Sequence, residues 1–306
     1  MVKLKLDIPK EFFNEEERCG YVVSAKMKQV WAVELDLLSE LLRVCEENNI
    51  IVFADSGTLL GAVRHGGFIP WDDDIDVVIS RKDYIKLLKI GEKCFKEPYH
   101  FPTNKTDPEY YRSHAQLRRS DTTGILKAEL KNCLPFDQGI FIDIFPMDNL
   151  PDDNKELKLF SNRLAFIKKR ETILQNSFYD RYDSIWYKQF VKNIIRRTFT
   201  KDKFYAKMQL YYNQYELIRQ KYNYKETTRC GNLHRAPIDN RLIFKRDWFK
   251  KQVYSDFEMI KIPIPIGYCK YLKSVYGDWK KFEIGTSVHG GIIFDTSVSY
   301  KEYLIG

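Results

Sequence analysis

Two short apolar runs bracket a small-residue turn and a cluster of four aspartates, and no other stretch limits the fold as much. Residues 50–53 (Ile-Ile-Val-Phe) are apolar and β-branched, which reads as a buried strand. Asp55-Ser56-Gly57 ends it. Gly57 lets a ligand come close to the backbone. Residues 58–64 read as a short helix, and the Ser-Gly-Thr turn at its start offers amides and hydroxyls to an anion. A second apolar strand follows over 75–79, directly after Asp72, Asp73, Asp74 and Asp76.

Side chains two apart on a strand share a face. Asp74 and Asp76 therefore project together, and Asp73 points the other way. Asp72 shares their parity but lies nearer the loop. Four acids in five positions repel one another unless cations sit among them. Paired hard carboxylates suit Mg2+, with Mn2+ as a substitute, and such an ion keeps phosphate oxygens in its shell. A solvated acidic loop is the plainer alternative. It explains neither the flanking Trp71 nor the apolar strand that carries the acids.

The chain resembles the LicD family of phosphotransferases, within the nucleotidyltransferase-like superfamily, and is similar in its core to the fukutin-related proteins. The resemblance rests on Asp55-Ser56-Gly57-Thr58-Leu59-Leu60-Gly61-Ala62-Val63-Arg64-His65 and on Phe68-Ile69-Pro70-Trp71-Asp72-Asp73-Asp74-Ile75-Asp76. It extends to Phe141-Ile142-Asp143-Ile144-Phe145-Pro146-Met147-Asp148, Tyr271-Leu272 and Tyr276-Gly277-Asp278. It is dense over about residues 35–150, weak beyond, and returns over about 262–304.

That resemblance implies an α/β (α+β) fold: a mixed sheet flanked by helices, with a basic, aromatic-rich helical insertion. It implies that Ser56, Gly57 and Thr58 hold phosphates and that Asp74 and Asp76 hold the metal, with help from Asp72. A third carboxylate is expected from a later strand. Asp143, alone in an apolar run, fits as metal ligand or general base. Asp148, just past Pro146, reads as a loop acid.

The expected reaction starts from a CDP-activated small alcohol, such as CDP-choline or CDP-ribitol. A hydroxyl of a glycan or lipid-linked oligosaccharide attacks, and CMP leaves. The acceptor stays open among lipopolysaccharide, teichoic acid and capsule. Two rivals remain: a nucleotidyltransferase that releases pyrophosphate, and a non-catalytic nucleotide-binding protein of the same fold.

Further contacts come from basic residues. Arg64 and His65 lie between the turn and the acids, where they counter either a donor pyrophosphate or the acids themselves. Residues 115–119 (Ala-Gln-Leu-Arg-Arg) read as a strand. In the family this region nears the nucleotide, so Arg118 is a candidate phosphate contact, set against an exposed charged strand face. An arginine can grip phosphate with two parallel hydrogen bonds. His289, beside two glycines, is read either as a phosphate or acceptor contact or as a surface histidine.

The remaining periodicity gives amphipathic helices over 30–47 and 81–94 and a short one over 268–276, ended by Gly277. Residues 161–224 hold nine more basic than acidic residues and 15 aromatics, with no Pro or Gly. They read as helices with an aromatic packing face and lysines in water, and the alternative is an acceptor side facing an anionic lipid-linked glycan. Residues 1–150 are expected as the catalytic core, 151–261 as the helical insertion, and 262–306 as a segment returning to the core.

Fifty Lys and Arg against 42 Asp and Glu favour anionic partners. Nucleic acid is not expected among them. The six cysteines form no Cys-x-x-Cys pair, which suits a reducing compartment. Residues 1–9 lack the apolar run of a leader, and no stretch reaches the ~20 apolar residues of a membrane span. A cytoplasmic protein with peripheral contact at the inner face of the membrane is expected.

Overall fold

The computed structural model describes all residues except 105, 108, 128, 131–133, 180–192, 195–196, 198, 286–290 and 306. His289 therefore lies outside the described residues. A small hairpin, β1 (Glu16–Arg18) and β2 (Tyr21–Val23), precedes helix α1 (Ala25–Glu47). The Ser24 hydroxyl caps α1 by accepting the Met27 N–H. Strand β3 (Val52–Ala54), helix α2 (Ser56–His65), strand β4 (Asp76–Ser80) and helix α3 (Arg81–Cys94) follow. The apolar runs thus became strands, and the turn between them opens a helix.

The central sheet has seven strands and is mixed. β4 runs antiparallel to β3 and parallel to the long β8 (Ile140–Leu150). The other edge of β8 is shared. β6 (Ala115–Arg119) pairs with its first half, and β9 (Arg229–Asn232) with its second. β5 (Tyr99–His100) and β10 (Ile243–Lys245) complete the sheet beside β6 and β9. β9 and β10 come from inside the span 151–261, so the sheet takes two strands from the far side of the helical region. β7 (Thr123–Leu126) pairs instead with β13 (Ile292–Asp295) near the end of the chain.

Two apolar clusters hold this together. The larger joins α1 to the sheet through Val33, Leu37, Val77 and Ile142, with Trp31 stacked on Phe68 at 4.5 Å. Full burial of each such side chain contributes about 1.5–3 kcal/mol. The smaller lies under α4 (Asn154–Phe178) and α5 (Lys201–Arg219), where Phe160 and Leu164 share a cluster with Tyr211 and Tyr215. Strands β11 (Gln252–Phe257) and β12 (Ile260–Pro265) form a hairpin that leads into α6 (Tyr268–Tyr276), which stops at Gly277 (φ +66°). A short last helix, α7 (Tyr300–Ile305), ends the described chain. No helix among the described residues is long and apolar enough to cross a membrane.

Candidate functional site

A cleft of about 1130 Å3 runs along the amino end of β4 and the start of α2. Asp72, Asp74, Asp76 and Asp143 all line it, and Asp73 does not. β4 begins only at Asp76, so Asp72, Asp73 and Asp74 belong to the loop before it rather than to the strand. Carboxylate oxygens of those three loop acids lie within 4.8 Å of one another. Sheet register brings in the fourth cleft acid, because Asp76 and Asp143 are direct neighbours across β4 and β8.

The backbone around these acids is tied down from several sides. The Asp76 N–H donates to Thr58 Oγ1 at 2.8 Å, and the Asp55 N–H to the Asp76 carbonyl at 3.0 Å. Thr58, expected among the phosphate contacts, does not line the cleft. Its hydroxyl is buried, absent from the cleft wall, and used to place Asp76. Ser56 and Gly57 do line the cleft, and Ser56 holds a left-handed backbone (φ +45°) at the first turn of α2. A Cβ on Gly57 would stand 2.5 Å from Asp72 Oδ2. Only glycine lets that carboxylate lie against the helix start.

Tyr271, from α6, locks the turn. Its hydroxyl accepts the Ser56 N–H at 3.1 Å and donates to Asp55 Oδ1. Asn232 of β9 donates to Asp55 Oδ2 at 3.1 Å. Asp55 and Asn232 were not singled out from the sequence as site residues. The Cys230–His234 stretch supplies Asn232 and His234 to the site.

Charge in the cleft is one-sided. Burial, then repulsion from Asp143, Asp55 and Asp72, pushes the Asp76 carboxyl well above its ordinary range, and Arg235 offsets part of this. Burial, Asp76 and Asp72 do the same to Asp74. For Asp143, burial is outweighed by His114, whose Nε2 lies 3.3 Å away, by a 2.7 Å hydrogen bond from Gln116 Nε2, and by Arg112. Asp143 is held at about 2. Glu34 of α1 is buried behind the cluster, and burial with repulsion from Asp73 and Asp72 pushes it well up.

Arg118 reaches no part of the cleft. It is 1% exposed, and its guanidinium donates to Gln116 Oε1 at 2.7 and 3.1 Å and to the Gly139 carbonyl at 2.9 Å. Neither expectation for it holds. The strand is buried throughout, so Arg118 is a positioning residue that fixes the Gln116 amide toward Asp143. His65 also turns elsewhere. It accepts from Arg64 Nε at 2.9 Å and lines a separate cavity with Cys19 and Phe282. Burial, Arg64 and Arg18 hold its imidazole down at about 4, so it is neutral near pH 7. Arg64 stays on the cleft wall, donating to the Trp279 and Lys281 carbonyls at 3.1 and 3.2 Å.

Asp148 is not a loop acid. β8 continues through it, and it is fully buried against Arg81, Arg219 and Asn223. Pro146 suggests a strand end, yet it falls between the halves of β8 served by β6 and β9, so its missing N–H leaves no rung open.

Residues 49–206 match the LicD/FKTN/FKRP nucleotidyltransferase domain. The lipopolysaccharide cholinephosphotransferase LicD of Haemophilus influenzae is 25% identical over 259 residues, covering 83% of this chain and 91% of that protein. An uncharacterised protein of Rickettsia prowazekii is 48% identical over 78 residues, 25% of this chain and 28% of its own length. One from Rickettsia typhi is 41% identical over 69 residues, 22% of each. The chain belongs to the LicD/FKTN/FKRP nucleotidyltransferase-domain family, as a phosphotransferase of the LicD type.

Proposed function

We propose that this enzyme moves a phospho-alcohol from a CDP-activated donor to a hydroxyl of a cell-surface glycan, releasing CMP. The observation that carries the proposal is the meeting of Asp72, Asp74, Asp76 and Asp143 beside the start of α2 in one large cleft. The Haemophilus relative supports choline as the alcohol and lipopolysaccharide as the acceptor.

The donor set fits a hard divalent cation. All four cleft acids offer oxygen, and Asp74 and Asp76 are raised by burial and by repulsion from neighbouring acids. Asp72, Asp74, Asp76 and Asp143 would hold Mg2+, which would neutralise phosphate charge and polarise the phosphorus under attack. The remaining work belongs to the chain. The Gly57 amide at the head of α2 faces the donor phosphates. Arg118 and Gln116 orient Asp143, and Asp143, ionised, accepts the proton of the attacking hydroxyl. Positioning supplies most of the rate, with no covalent intermediate.

The acceptor's setting follows from the outer side of α4. Leu159, Phe166 and Ile173 are 63%, 58% and 56% exposed at seven-residue spacing, interleaved with Arg163 and Arg170. Such a face suits an anionic bilayer at the inner side of the membrane of a cytoplasmic enzyme. Sedimentation with phosphatidylglycerol vesicles, and not with phosphatidylcholine vesicles, is the expected result.

Incubation with Mg2+, a CDP-alcohol panel and a glycan acceptor tests the reaction. CMP release that Asp76→Asn abolishes is expected. Pyrophosphate release would mark a nucleotidyltransferase instead.

A further inference from the structure

A third cavity, of about 430 Å3, opens beside the cleft and shares Arg112, His114 and His234 with it. Its remaining walls come from the Glu109–Tyr111 turn, from Glu129 and Phe136, and from the inner side of α4. The mechanism above makes no use of it.

Side chains of its wall carry buried polar atoms without partners. Glu109 Oε2, Arg112 Nε and His114 Nδ1 are buried and accept or donate no hydrogen bond. Leaving such an atom unpaired is costly. Three around one cavity need a reason, and a ligand that completes them is the simplest. The cationic charge is already balanced. Arg112 donates to both oxygens of Glu129 at 2.9 Å, and Lys168 to Glu171 at 2.9 and 3.0 Å. Tyr111, Phe136 and Tyr179 add aromatic wall.

The chemistry selects among ligands. A phosphate would meet Glu109, Glu129 and Glu171. A quaternary ammonium has no donor or acceptor, so Arg112 Nε and Glu109 Oε2 would stay unpaired. A sugar hydroxyl both donates and accepts, and the C–H face of a pyranose packs on rings. We infer that this cavity is the acceptor-sugar subsite, which holds a pyranose of the glycan with its neighbouring hydroxyl turned toward Asp143. This rests on the phosphotransfer reading above.

Saturation-transfer NMR on the full chain tests the subsite. The probes are methyl glucoside, methyl galactoside and methyl N-acetylglucosaminide, with tetramethylammonium and inorganic phosphate as contrasts. At least one glycoside should bind. Arg112→Lys, which keeps the charge beside Glu129 and deletes the Nε donor, should weaken it at least fivefold, as should Glu109→Leu. Binding by tetramethylammonium or phosphate in place of every glycoside overturns the subsite, as does glycoside binding indifferent to both substitutions. CMP release from a CDP-alcohol with no glycoside bound overturns the subsite and leaves the reaction standing. Glycoside binding sensitive to both substitutions, with pyrophosphate as the product, keeps a sugar site and overturns phosphotransfer.

Discussion

Strand β8 carries two buried aspartates, Asp143 and Asp148, both held below the ordinary range, but only Asp143 has other acids for neighbours. Asp148 receives Arg81 at 2.6 and 2.7 Å, Arg219 at 3.0 Å and Asn223 at 2.8 Å. Burial alone would raise its carboxyl, but Arg81 and Arg219 hold it below the ordinary range. Asp143 instead stands beside Asp76, Asp74 and Asp72, with the buried Glu34 behind. An acid matched by guanidiniums holds the fold together. Acids that outnumber their cations are costly to keep, and the cleft gives them a divalent ion to hold.

The largest expected effect is on turnover. Asp76→Asn should lower kcat at least about a thousandfold, about 4 kcal/mol of barrier. Its melting temperature in chelator should stay level or rise, since a like-charge neighbour is gone. Asp148→Ala should do the reverse. It leaves the buried Arg81 and Arg219 to share Glu216 alone, and breaking a buried pair costs about 3–5 kcal/mol. Calorimetry on both variants would break the comparison if their melting temperatures fell alike. Asp73→Asn, off the cleft wall, should cost far less activity than Asp76→Asn.

Acidity separates the two ends further. The raised Asp74, Asp76 and Glu34 favour the folded state below their ordinary values of 3.8 and 4.5, and that contribution fades as pH climbs toward the raised values. Asp148, lowered, contributes above 3.8 and loses its share only as pH falls through its depressed value. In chelator the protein should therefore melt lower as pH rises above those ordinary values. Mg2+ at about 100 times its dissociation constant should return about 2.7 kcal/mol. A flat profile with no Mg2+ response would remove the cluster's charge excess as the distinguishing feature.

Local signals made much of this visible in the sequence. Helix α3 is legible because Ser80 caps it, and α6 because Gly277 ends it. The aspartate run and the Ser56-Gly57 turn announce the cleft because spacing alone carries them. What stayed hidden depends on register and distant pairing. Gln116 meets Asp143 only because β6 and β8 align there. Arg118 reads as a phosphate hand until its strand proves buried on both faces. Tyr271 reaches Asp55 across 216 positions of sequence, which no periodicity reports. Asp148 was misplaced because Pro146 usually marks an end, and the split edge of β8 is a property of the whole sheet.

The smallest effects probe how the helix start serves the acids. Gly57→Ala puts a methyl 2.5 Å from Asp72 Oδ2, so the carboxylate must move. Activity should fall about tenfold, since catalytic groups tolerate little displacement. Ser56→Gly asks the opposite question at the neighbouring position. The left-handed backbone at Ser56 costs a side chain about 1–2 kcal/mol, more than the extra chain entropy of about 0.4–1 kcal/mol that a glycine brings, so relieving it should stabilise the chain slightly. If that gain arrives with kcat/KM unchanged, the strain only shapes the turn that Tyr271 holds. If kcat/KM falls while stability rises, the Ser56 hydroxyl itself touches the donor, and the head of α2 belongs with the cluster rather than with the paired acid at the far end of β8.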